Sequence, residues 1–190
     1  MKRQTLVEYE DATPQVRAVY DDVMETLGTP KPLNVLMALG NNPQVLGGVW
    51  SMLRNTLVEG DVPALLKELI LFRISVHAGN RYCTSLHGHA ACNLDPSLTY
   101  EDLMALAEGE ATDKLPTSFQ VALDVVSQAA LEPKSVADDR FDFEERLRDA
   151  GFSEAEIDEL LGQAYFGVMM NMLTDAYDIP WEEPFPPEDA

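Results

Sequence analysis

Between Gly60 and Gly79 the chain carries Val62, Leu65, Leu66, Leu69, Ile70, Leu71, Phe72, Ile74 and Val76. On a helix these residues cover nearly every face, and a helix apolar all round has to be buried. Whatever this chain folds into is therefore built around that segment. Glu68 and Arg73 are its notable charges, and Asp61 with Pro63 reads as its opening signal. The segment runs into a second one rich in reactive groups. The stretch Glu68–His87, ELILFRISVHAGNRYCTSLH, holds two of the three histidines, His77 and His87, and one of the two cysteines, Cys83. His89 follows two residues later. Packing alone does not call for such a gathering.

The rest reads as a helical scaffold. Thr13-Pro14 pairs a cap with a proline at the first helical position, and Val16, Val19, Tyr20, Val23 and Leu27 recur at helical spacing as far as Gly28. A short helix spans 33–39, and Asn42-Pro43 opens another to about Val58, in which Gly47-Gly48 suggests close approach of a second helix. Asn80 caps a helix reaching about Cys92, and Thr99–Asp102 and Ser153–Glu156 are capping boxes. Helices are also expected over 116–131 and over 138–150, the latter charged and exposed. The last helix reads through Ile157, Leu160, Leu161, Tyr165, Val168, Met169, Met172 and Leu173 to Ile179-Pro180. No stretch alternates like a strand, so the expectation is all-α, about eight helices, in one domain over 1–180. The acidic, proline-rich tail 181–190 is either disordered or laid across a neighbouring subunit.

With 46% hydrophobic residues in 190, the chain can bury a core. A net charge of −20 and the lack of a basic run argue against nucleic acid and anionic membranes as partners. No apolar run is long enough to span a bilayer, and the first residues lack the apolar core of a signal peptide, so a cytoplasmic protein is expected. Two cysteines are too few for a disulfide scaffold, and Cys83 and Cys92 on one helix lie about 13 Å apart, beyond bridging distance.

On the helix opened by Asn80, residues Asn80, Cys83 and His87 fall at i, i+3 and i+7 and face the same way. Cys83 lies in the first turn, where free N–H groups favour a thiolate, and His87 can exchange a proton with it. Glu68, in an apolar helix, can hold and pass a proton near neutral pH. Bland readings stand beside these: an ordinary buried cysteine, Asn80 as a cap, and Glu68 as the ion-pair partner of Lys67 or Arg73. His77 and His89 read as structural or surface residues. The histidines and Cys83 match no metal motif, and no cofactor is expected.

This segment resembles the core of the carboxymuconolactone decarboxylase family, in its alkylhydroperoxidase D-like (AhpD-like) branch. That branch carries Glu, eleven residues, Cys, two residues, Cys, three residues, His. Here the same spacing runs through Glu68, Asn80, Cys83 and His87. The turn Glu59-Gly60-Asp61 and Lys67-Glu68-Leu69-Ile70 fit as well, and 153–180 resembles the last helix of peroxidase-related members. The resemblance implies an all-helical fold, assembly as trimers, hexamers or dimers, and Cys83 as the attacking thiol. The apolar segment 62–76, hard for a small domain to cover, also points to a homo-oligomer. The family's first cysteine, which resolves the oxidised second one, is Asn80 here, so an external thiol would be the reductant.

The leading expectation is thus a peroxidase-related oxidoreductase acting on small hydroperoxides, with Cys83 as nucleophile, His87 as acid/base, Glu68 as relay, and Asn80 and Tyr82 in support. The alternatives are a non-redox decarboxylase-type enzyme acting on a small acid, with Arg73 or Arg81 as the available clamp, and a non-catalytic oligomeric binding protein.

Overall fold

The computed structural model describes residues 5–137, 140–183 and Phe185. The apolar segment forms helix α4, Ala64–Ala78. Four helices close around it: α5 (Arg81–Leu94), α6 (Tyr100–Ala107), α7 (Thr117–Leu131) and α10 (Glu154–Tyr177). They bury Leu66, Leu69, Ile70, Leu71, Phe72 and Ile74. The chain therefore covers its own central helix, and this helix no longer argues for a partner subunit. Ahead of it come α1 (Pro14–Leu27), the short α2 (Asn34–Ala38) and α3 (Pro43–Leu53), which runs on into a π-type turn over Arg54–Val58. The one-turn α8 (Pro133–Ala137) and α9 (Arg140–Asp149) complete the set. Eight of these helices are eight residues or longer, and the described residues contain no strand.

Two apolar cores result. One lies under α4, α6, α7, α9 and α10; the other joins α1, α2 and α3 to Tyr82, Cys83, Phe166 and Met170. The site sits where α4, α5 and α10 bring the two together.

Local signals explain most boundaries. Thr13 caps α1, Asn42 caps α3, and both capping boxes form. Gly79 adopts φ 68° at the end of α4, a left-handed conformation that glycine takes without a Cβ penalty, and so turns the chain directly into α5.

Four expectations change. Asp61 does not cap α4: its backbone N–H, and that of Val62, are taken by the Glu159 carboxylate from α10. Added Cβ atoms on Gly47 and Gly48 would meet nothing within 4 Å, so no helix approaches there. Of the expected helix 138–150, residues 138 and 139 lie outside the described residues, and α9 is not simply exposed, because Phe143 and Leu147 are buried. Lastly, α10 turns a different face inward. Tyr165, Met169 and Met172 are exposed, whereas Gln163, Asn171 and Thr174 are buried.

Lys67 is 1% exposed, pairs with Glu159 and donates to the Glu59 carbonyl at 2.6 Å. Removing one partner of a buried pair strands the other charge. Glu159→Ala is expected to cost about 3–5 kcal/mol in urea unfolding, with Lys67→Met/Glu159→Gln costing much less. Gly47→Ala, filling open space on a helix, is expected to raise stability by about 0.5–1 kcal/mol in the same measurement.

Candidate active site

Glu68 projects from the middle of α4, and His87 stands on the second half of α5. The antiparallel packing of these two helices sets His87 Nδ1 2.7 Å from Glu68 Oε2, with both side chains largely buried. Lys67 and Arg73 are engaged elsewhere, with Glu159 and Asp124, so Glu68 is the histidine's partner and not theirs. One turn before His87, Cys83 is 3% exposed, and its neighbouring thiol helps hold the His87 proton. Burial pushes the His87 imidazole down from 6.5. The Glu68 charge and the hydrogen bonds with Cys83 and Glu68 outweigh this and hold it up at about 9. At neutral pH the ring is an imidazolium, braced by a carboxylate on one nitrogen and next to a thiol.

A histidine raised from 6.5 to about 9 contributes stability that is complete below 6.5 and lost as pH rises through 9. The size of that loss is on the order of 3 kcal/mol. Unfolding measured between about pH 6 and 10 is expected to show this decline.

Asn80 lies at the N-cap of α5, 1% exposed. Its Oδ1 accepts from the Cys83 N–H at 2.7 Å. Its Nδ2 donates to the Asn171 carbonyl at 3.0 Å, to Thr174 Oγ1 at 2.8 Å and to Asp175 Oδ1 at 2.6 Å. Burial raises the Asp175 carboxyl, and the Asn80 hydrogen bond offsets part of that rise. Thr174 Oγ1 also lies 3.7 Å from Cys83 Sγ. The residue standing in the family's first cysteine position thus fastens α5 to α10 and fixes the first turn on which Cys83 sits. It does not line the cavity described next.

Cys83, His87 and Glu68 open onto a cavity of about 250 Å³. Leu27, Leu33, Val35, Leu53, Leu57, Leu71, Phe166 and Met170 supply most of its wall, and Tyr82 and Phe185 close part of it. No lysine or arginine lines it among the described residues. Arg73 pairs with Asp124, and Arg81 lies over the Trp181 ring, so neither offers the clamp the sequence suggested. The Tyr82 hydroxyl donates to Glu182 Oε1 at 2.7 Å; burial first, then the Glu182 charge, push this phenol well above its ordinary range.

His77 bonds to the Ala107 carbonyl and His89 to the Ser85 carbonyl, both away from the thiol. Cys92 packs against the other core. Among the described residues no group of three histidine, cysteine or acidic side chains is placed to hold a metal ion, and no helix is long and apolar enough to cross a membrane.

Thr174, Asn171, Glu182, Phe185 and the distant cavity wall were not identified from sequence. The one available signal was the polar Asn171 and Thr174 within an apolar stretch of the last helix.

No family model and no curated protein matches this chain. Solved structures do. A peroxidase-related protein of Silicibacter sp. TM1040 is 24% identical, with a TM-score of 0.76 over 97% of this chain and 95% of that one. An alkylhydroperoxidase AhpD-core, peroxidase-related protein of Ralstonia eutropha JMP134 is 18% identical, with a TM-score of 0.74 over 96% and 93%. The debrominase Bmp8, in a cysteine-to-alanine variant complexed with 2,3,4-tribromopyrrole, is 23% identical, with a TM-score of 0.76 over 96% and 93%. Over almost its whole length, then, the chain has the AhpD-like, carboxymuconolactone decarboxylase-type fold shared by peroxidase-related proteins.

Proposed function

We propose that the protein is a one-cysteine, peroxidase-related oxidoreductase that reduces small, largely apolar hydroperoxides with an external thiol. The observation that carries this reading is the Glu68–His87 hydrogen bond with Cys83 beside it at the wall of one apolar cavity. The Cys83 thiol gives up its proton to water beside the His87 imidazolium, and the sulfur attacks the terminal oxygen of the hydroperoxide. The O–O bond breaks as the S–O bond forms. His87 gives its proton to the leaving alkoxide, which departs as an alcohol, and Cys83 is left as a sulfenic acid. One external thiol condenses with it, releasing water, and a second releases the mixed disulfide and restores Cys83. Glu68 keeps the imidazole oriented and favours its reprotonation before the next turnover.

A carboxylate substrate, as the decarboxylase reading requires, would find only the His87 imidazolium, which Glu68 already balances. The debrominase with this fold supports a second substrate class, a small brominated aromatic ring in the same apolar cavity.

The test is a sulfenic-acid trap after brief exposure to hydrogen peroxide or tert-butyl hydroperoxide, with peptide mapping. Adduct on Cys83 and none on Cys92 is the expected result. No adduct, or equal adduct on both, sinks the peroxidase reading. Bromide release from tribromopyrrole without peroxide reduction would replace it with the second.

We also propose a homo-oligomer. Exposed Val45, Met52, Tyr165 and Met169 flank a groove between α3 and α10, and Met172 is 69% exposed beyond it. Light scattering that returns only a 21.1 kDa species refutes this.

A further inference from the structure

Just past α10 the chain turns back over the cavity, and the way it is held there is costly. Glu182 is 4% exposed, and burying a carboxylate is unfavourable unless it is well bonded. Its Oε1 accepts from the Tyr82 hydroxyl at 2.7 Å and from the Asn34 N–H at 2.6 Å. The Asn34 side-chain amide donates to the carbonyls of Pro180 and Trp181, at 3.1 and 3.2 Å. The Arg81 guanidinium lies over the Trp181 ring at 5.8 Å. A backbone bond of 2.8 Å from the Phe185 N–H to the Glu182 carbonyl folds the chain sharply. That fold places the Phe185 carbonyl on the Ser85 hydroxyl and its ring against His89. Phe185 is half-buried and lines the cavity together with Cys83 and His87.

We propose that residues 180–183 and Phe185 form a strap, latched by Glu182, that closes the Cys83 cavity, and that Phe185 is the side chain that sets the size of what reaches the thiol. Of the tail, the described residues 181–183 and Phe185 lie against their own chain. The cavity volume of about 250 Å³ falls below the roughly 300–1,000 Å³ of sites that hold drug-sized ligands. The substrate class is accordingly compact hydroperoxides, with long-chain or polycyclic ones excluded while the strap is latched. The latch sits on Tyr82, next to Cys83 in the chain, so the thiol and its cover share one turn of α5. This deepens the reading above and rests on it for the substrate class; the closure itself does not depend on that reading.

The experiment uses the full chain with Cys92→Ala, so that only Cys83 reacts. Alkylation rates are measured with a compact reagent, iodoacetamide, and a bulky one, N-pyrenylmaleimide. Phe185→Ala is expected to speed the bulky reagent by roughly tenfold or more and the compact one by less than about threefold. Phe185→Trp, which keeps an aromatic cover, is expected to slow the bulky reagent and serves as the second variant should the first lose its helical circular dichroism. A chain ending at Pro180 is expected to behave like Phe185→Ala. Equal acceleration of both reagents, or no change with either, overturns the strap. Size-selective alkylation with no sulfenic acid after peroxide would keep the strap and remove the peroxidase reading. Sulfenic acid at Cys83 without size selection would do the reverse.

Discussion

Replacing Glu68 by glutamine is expected to slow oxidation of Cys83 by hydroperoxide about 10²–10⁴-fold at neutral pH, the span typical of a lost general acid–base group. The buried Glu68 carboxylate is the charge that keeps the His87 proton in place against desolvation. Without it, burial is the dominant influence, and the ring is neutral at the pH where it has to protonate the leaving oxygen. Two readouts separate this from a general loss of fold. The decline in stability through pH 9, expected of the native chain, should flatten in Glu68→Gln, because the raised histidine is its source. The rate should also recover partly as pH falls towards the ordinary histidine range. A native rate, or a native stability profile, would show that Glu68 does not act through His87.

Asn80→Cys should change the reaction cycle itself. A thiol at this position stands three residues before Cys83, with the two Cβ atoms about 5–6 Å apart, close enough for a small backbone shift to bring them to bonding distance. After one equivalent of peroxide the variant is expected to hold an intramolecular disulfide and no trappable sulfenic acid. It would then be recycled by a dithiol acting on the disulfide. The substitution has a structural cost. The Asn80 side chain caps the Cys83 N–H and donates to Asn171, Thr174 and Asp175, and losing the cap and these bonds should destabilise the reduced form by about 2–4 kcal/mol. Persistent sulfenic acid in the variant, with both thiols still free, would mean that the first turn of α5 cannot bend enough to close the bond.

The core of the site was legible because its geometry is local. Asn80, Cys83 and His87 belong to one helix, whose period sets their common orientation, and Glu68 belongs to the helix joined to it by a single glycine turn at Gly79. The bounds of α1, α3, α6 and α10 were legible for a similar reason, since caps and proline act over three or four residues. The opening of α4 was not. Asp61 looked like its cap, and the group that takes those N–H bonds is Glu159, 98 residues away.

From sequence alone came the all-helical class, the central buried helix, and the spacing that sets a carboxylate, a thiol and an imidazole within reach of one another, because each rests on short-range backbone periodicity and side-chain polarity. Tertiary structure decided which face of α10 is inside. Its middle is apolar on every side, so hydrophobic period favoured Tyr165, Met169 and Met172. The packed chain instead buries Gln163, whose amide donates to the Lys67 carbonyl, Thr174, whose hydroxyl accepts from the Asn80 amide, and Asn171, which meets that amide through its backbone carbonyl. Tertiary structure also decided that Glu182 is buried and that Phe185 lines the cavity. A buried carboxylate and an aromatic wall after the last helix have no periodic signature; they exist through hydrogen bonds to Asn34, Tyr82 and Ser85, which lie 100 or more residues earlier.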